Sequence, residues 1–158
     1  MFREMRCKEL QTSREAAEEM LVRAKNGVIA FPLEDGYPCA LPVSHLYFEG
    51  ALYFHGANAG QKYEVLAGNP KVCFTATLRD DFLPGAFNTH FESVMAYGRA
   101  CILEDAAEIG RVLRALCKKY EPALTDEAID QFAAAPSQRG KFCVFKMSIE
   151  HLTGKEGI

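Results

Sequence analysis

Two consecutive strands that are apolar on both faces constrain this chain more than any other feature. Residues 39–48 and 51–56 both read as strands, and Glu49-Gly50 between them reads as a two-residue turn. That turn sets His45 opposite Phe54 and Ser44 opposite His55. One face then carries Leu41, Val43, His45, Tyr47, Leu52 and Phe54, and the other Ser44, Leu46, Phe48, Tyr53 and His55. A sheet wetted on one side alternates apolar with polar residues, so the surplus apolar face needs a cover: a helix, a planar ligand or another subunit. The same register puts His45 and His55 on opposite faces, which argues against a two-histidine metal site.

The rest of the chain supplies more strands and a few helices. Thr12-Ser13-Arg14-Glu15 is a capping box ahead of the helical stripe Ala16, Ala17, Met20, Leu21 and Ala24, and Asn26-Gly27 stops that helix. Residues 28–32 read as a strand and 71–77 as another; 79–85 read as a loop. A long strand is expected over 89–103, with Gly98 marking a bulge. Asp105 to Glu108 form a second capping box before the stripe Ile109, Val112, Leu113, Leu116, Cys117 and Tyr120. A short helix follows from Thr125 to Pro136, then a last strand over 142–151, with Thr153-Gly154-Lys155 opening the tail. Six or so antiparallel strands with peripheral helices predict a mainly β, closed-barrel fold of the α+β kind, one domain across residues 1–158.

Composition removes several function classes. Lys plus Arg number 18 against 21 for Asp plus Glu, a net charge of −3, which disfavours a nucleic-acid or anionic-membrane partner. No apolar run approaches the roughly 18 residues of a membrane span, and the opening residues lack a signal-peptide segment, so a cytoplasmic location is expected. The six cysteines include no C-x-x-C pair and read as small hydrophobes, with no metal site expected.

The segment His55-Gly56-Ala57-Asn58-Ala59-Gly60-Gln61-Lys62 has the chemistry of a phosphate cradle: small residues that let backbone N–H groups approach an anion, a helix start, and one full positive charge. The segment is neither a Walker loop nor a dinucleotide fingerprint, and from the residues alone an ordinary strand-to-helix loop with a solvated lysine is the simpler reading.

Taken in order, Gly36-Tyr37-Pro38-Cys39-Ala40-Leu41-Pro42-Val43, Gly50-Ala51-Leu52-Tyr53-Phe54-His55-Gly56-Ala57, Gly60-Gln61-Lys62, Asn69-Pro70-Lys71-Val72-Cys73-Phe74 and Glu92-Ser93-Val94-Met95-Ala96-Tyr97-Gly98-Arg99-Ala100 resemble the pyridoxamine 5′-phosphate oxidase-related flavin proteins, most of all their nitroimidazole-resistance branch. The resemblance implies an FMN-binding split β-barrel, homodimeric, with FMN in the subunit interface. It further implies that Gln61 and Lys62 hold the FMN phosphate, that His55 and Gly56 lie beside the phosphate and ribityl chain, and that Val43, Ser44 and His45 run along the flavin ring. Ser93 would reach the flavin from the other subunit. The function implied is a flavin-dependent oxidoreductase that passes electrons from a donor such as NAD(P)H to a small planar acceptor, a nitroimidazole among them; the alternatives are a non-catalytic flavin-binding or sensing module, or the same fold holding haem or a deazaflavin.

The chain departs from true pyridoxamine phosphate oxidases, which carry an arginine where Gln61 stands and a basic signature near the C-terminus that His151-Leu152-Thr153-Gly154-Lys155 lacks. Pyridoxamine phosphate is therefore not the expected substrate. His45 reads either as a proton donor beside the flavin or as a satisfied histidine on an apolar face. His90 and His151 read as surface or structural residues, and Arg99 as the partner of an interface carboxylate. Lys155 reads as either a solvated tail lysine or a contact to the cofactor phosphate.

Overall fold

The computed structural model describes residues 2–134 and 140–158. A 3₁₀ turn (Lys8–Leu10) leads into α1 (Arg14–Arg23), β1 (Asn26–Pro32), β2 (Pro38–Ser44), β3 (Leu46–Phe48) and β4 (Ala51–Ala57). The remaining elements are α2 (Gln61–Ala67), β5 (Lys71–Leu83), β6 (Asn88–Ile102), α3 (Ala106–Tyr120), α4 (Asp126–Ala134) and β7 (Phe142–Gly157). The expected extension of α4 to Pro136 lies outside the described residues.

All seven strands form one antiparallel sheet in the order β2-β1-β5-β6-β7-β4-β3. Its two edge strands, β2 and β3, are separated in the chain by His45 alone. The sheet therefore curls until its edges meet at that residue, which makes a barrel split along one seam. Leu46↔Tyr53, Tyr47↔Leu52 and Phe48↔Ala51 pair as the Glu49-Gly50 turn requires. The expected His45–Phe54 and Ser44–His55 pairs do not form, because the chain turns a corner at His45 and Ser44 pairs with Asn26 on β1 instead.

Inside the barrel, Ile29, Phe31, Phe54, Phe74, Phe145 and Met147 pack with Ala17, Met20 and Leu21 of α1 and with Leu66 of α2. Each fully buried large side chain contributes roughly 1.5–3 kcal/mol. The second apolar face of the hairpin is covered by α3: Leu46, Ala51 and Tyr53 pack with Val112 and Leu116. Of the three covers the sequence allows, the structure uses the helix, so the hairpin itself supplies no argument for a second subunit.

Several local readings shift. Ser13, rather than Thr12, caps α1, its Oγ accepting from Ala16 N–H at 3.2 Å. That helix stops at Arg23, and Asn26-Gly27 opens β1. Asp105 caps α3 as expected, accepting from Glu108 N–H at 2.8 Å. The loop expected over 79–85 is strand as far as Leu83, continuing β5 beyond a bulge between Thr77 and Arg79. Its Arg79-Asp80-Asp81 is polar because this ribbon is exposed. The expected tail is also strand, with Ser93↔Lys155, Val94↔Gly154 and Met95↔Thr153 paired. Gly98 marks the expected bulge, since the β6–β7 register shifts between Tyr97 and Gly98 and a Cβ there would collide with Ser148 O. The six cysteines are half-buried and free. Among the described residues, no helix is long and apolar enough to cross a membrane.

Candidate functional site

The residues singled out by sequence fall into three places. The first is the end of β4. A Cβ on Gly56 would collide with Nζ and Cε of Lys62, so the absent side chain is what lets this lysine fold back over the strand. Its ammonium lies 5.4 Å from the centre of the Phe145 ring. No carboxylate pairs with it among the described residues. The N-cap Gly60, at φ +88°, has no side chain with which to cap the first turn of α2. First-turn N–H groups that no side chain caps are available to another acceptor. His55 stands beside this charge: burial first, and Lys62 second, hold its imidazole below the ordinary histidine range. His55, Gly56 and Lys62 are thus brought together. Gln61 instead borders a pocket of about 310 Å³ lined by Leu33, Glu34, Asp35 and Glu64, whose carboxylates do not suit a phosphate contact.

The second place is the corner at His45. This histidine is 0% exposed. Its Nε2–H donates to Leu21 O at 2.9 Å, and its ring lies 4.7 Å from that of Phe74. Nδ1 has no partner. Burial, only partly offset by the Leu21 bond, lowers its pKa to about 4, so it is neutral at pH 7. Tyr120 of α3 closes the corner: its hydroxyl accepts from His45 N–H at 2.9 Å and reaches the carbonyls of His45 and Lys25. Lys119 Nζ donates to Ala24 O at 2.8 Å. Val43 is buried in the barrel, and Ser44 is exposed on β2. The structure gives His45 a packing role in the core and no open path to a ligand, so the proton-donor expectation is not carried forward.

The third place is a groove of about 530 Å³ on the outer face of the sheet. Ser93 lies in it, with Thr75, Thr153, His151 and Lys155 around it and Phe2 and Arg3 across it. Lys155 Nζ sits 4.6 Å over the Phe91 ring. This wall is hard to foresee from the residues, because Tyr97, His151 and Lys155 meet only when β7 pairs with β6 as far as Gly157. Arg99 lies apart from the groove, paired with Glu150 at 3.6 Å in its own chain and donating to Asn69 O at 3.0 Å. His90 is held by Arg79 on the exposed ribbon.

On one chain the cradle and the groove stand at opposite ends of β7: Gly56 pairs with Cys143, while Ser93 pairs with Lys155.

A candidate 5-nitroimidazole antibiotic resistance protein of Bacteroides thetaiotaomicron has this fold, with TM-score 0.74 over 92% of this chain and 85% of its own at 22% identity. The flavocytochrome Anf3 of Azotobacter vinelandii matches with TM-score 0.76 over 98% of this chain and 72% of its own, also at 22% identity. The FAD and heme binding protein of Mycobacterium smegmatis gives TM-score 0.76 over 93% and 73% at 19% identity. At these identities the likeness is one of fold. A comparison with curated proteins finds no match. Compared with families, residues 13–156 match pyridoxamine 5′-phosphate oxidase, nearly the whole chain. With that match laid over a seven-stranded barrel split at His45, the chain belongs to the pyridoxamine 5′-phosphate oxidase family.

Proposed function

We propose that this chain is a flavin-dependent oxidoreductase that works as a homodimer, with the Lys62 cradle of one copy and the Ser93 groove of the other enclosing one FMN. The observation that carries the reading is an ammonium, Lys62, set over Gly56 with no carboxylate to answer it among the described residues. Glycine stands where a side chain would displace that charge, and a phosphate is the anion such a cradle suits. Because cradle and groove lie at opposite ends of β7, a second copy is needed to complete the site. Ser44, exposed on β2, and the Ser93 hydroxyl are the groups available to orient the ring.

A bound flavin supplies the electron transfer between a reduced donor such as NAD(P)H and a small planar acceptor. The chain's own share is to anchor the phosphate through Lys62, to present His55 beside it, and to wall the ring with Thr75, Thr153 and Ser93. Haem fits less well: His45, one of two histidines suited to the axial role, is enclosed and already donates to Leu21 O.

The test is the absorption spectrum and sedimentation of the untreated purified protein, with the released cofactor identified by chromatography. A flavin spectrum, FMN on release, one flavin per chain and a dimer are expected, with bleaching by NAD(P)H under anaerobic conditions and reoxidation by a nitroimidazole. A Soret band, or a monomer that holds FMN tightly, would contradict the reading. Flavin that no acceptor reoxidises would make the protein a binding or sensing module.

A further inference from the structure

The groove already contains a stacked ring. Phe2 lies on His151 with centroids 4.6 Å apart and planes 7° from parallel, and Tyr97 tilts against it at 5.5 Å. Phe2 is 43% exposed, so stacking rather than enclosure holds it there. The segment that carries it runs back from Gln11, which bridges to Lys155, and from Thr12, whose N–H donates to Gly154 O at 3.0 Å. It is therefore tied to β7 at one end and rests on β7 by one ring at the other.

The charge around this ring is one-sided. Arg3 and Lys155 line the groove and no carboxylate does. Neither cation makes an ion pair among the described residues, although Glu4 on the same segment pairs with Lys8 at 2.6 Å. An apolar wall with a flat aromatic seat and two unanswered cations suits a planar ring that carries acceptor oxygens, as a phosphate ester or a nitro group does.

We propose that the His151–Tyr97 face is a stacking seat for such a ring, and that Phe2 holds the seat until the ring arrives and displaces it. The seat adds a second ring position to the flavin reading and rests on that reading only for the source of the ring. That source is either the adenine of a dinucleotide flavin or the planar acceptor itself, and the two share the same stacking chemistry.

The test compares the full chain with Phe2→Ala and His151→Ala, titrated with AMP, 2-methyl-5-nitroimidazole, FMN and FAD, with melting curves to show that each variant is folded. Phe2→Ala should tighten AMP or the nitroimidazole about threefold to tenfold by removing the competitor. His151→Ala should weaken the same probe about fivefold to a hundredfold, the range of one stacked base. Tightening of AMP together with FAD, but not FMN, identifies the adenine; tightening of the nitroimidazole alone identifies the acceptor; either supports the seat. Affinities for AMP, FAD and nitroimidazole that stay within twofold in both variants overturn it, even if FMN binds well. Conversely, wild type that binds no flavin but shows the AMP shifts keeps the seat and removes the flavin reading.

Discussion

His45 and His55 stand ten positions apart, one at the corner between β2 and β3 and the other on β4, in regions built on opposite terms. At the His45 corner the chain answers its own polar groups: Leu21 O takes the Nε2 proton, and the Tyr120 hydroxyl takes the His45 N–H. Nδ1 alone is left over. At the His55 end a full charge, Lys62, is set over a glycine with no counter-charge from the chain among the described residues. A buried polar group that the fold satisfies is architecture; a charge that the fold positions and leaves unanswered points to a ligand. Residue type alone would rank the two histidines alike.

If that contrast holds, damage at the corner should register as stability, and damage at the cradle as affinity. The largest effect is expected from pH. Unfolded His45 takes up a proton at the ordinary value of 6.5, whereas folded His45 resists until about 4, so protonation favours the unfolded chain. The stability that depends on neutral His45 should be complete above pH 6.5 and be lost as pH falls towards 4, by on the order of 3 kcal/mol. Urea unfolding across that window should show the slope, and His45→Gln should flatten it; an unchanged slope would mean that His45 is not the core group described.

Next comes Tyr120→Phe, which strips the hydroxyl from the corner and leaves His45 N–H without its acceptor. A loss of about 2 kcal/mol in denaturant unfolding is expected, with flavin affinity of the folded fraction unchanged. A fall in affinity without a fall in stability would invert the comparison. The smallest change in stability belongs to Gly56→Ala. The colliding atoms are the end of a flexible lysine, which can swing aside, so stability should move by less than about 1 kcal/mol. FMN affinity should fall nonetheless, because the displaced charge is the one the phosphate needs.

Much of this was legible in the residues, and the parts that were not have a common cause. The Glu49-Gly50 turn fixed the pairing of Leu46 with Tyr53 because a two-residue turn leaves the register no freedom. The capping residues and apolar stripe of α3 were equally local signals. Missing was everything that depends on which distant strand a segment meets. Nothing in residues 39–48 announces that β2 pairs with β1 up to Ser44 and that the chain then turns. Thr153 to Gly157 looks like a tail until β6 is laid beside it, and the His151–Lys155 wall of the groove becomes visible only then. For Lys62 the sequence offered cradle or solvated loop, and its fold-back over Gly56 favours the cradle.

The most direct test of the central claim is to titrate Lys62→Ala and wild type with FMN and with riboflavin, which lacks the phosphate. Loss of one charge-assisted contact should weaken FMN about tenfold to a hundredfold, while riboflavin binds both proteins equally and the melting temperature holds. Equal losses for FMN and riboflavin would show that Lys62 supports the fold rather than the phosphate, and would contradict the account.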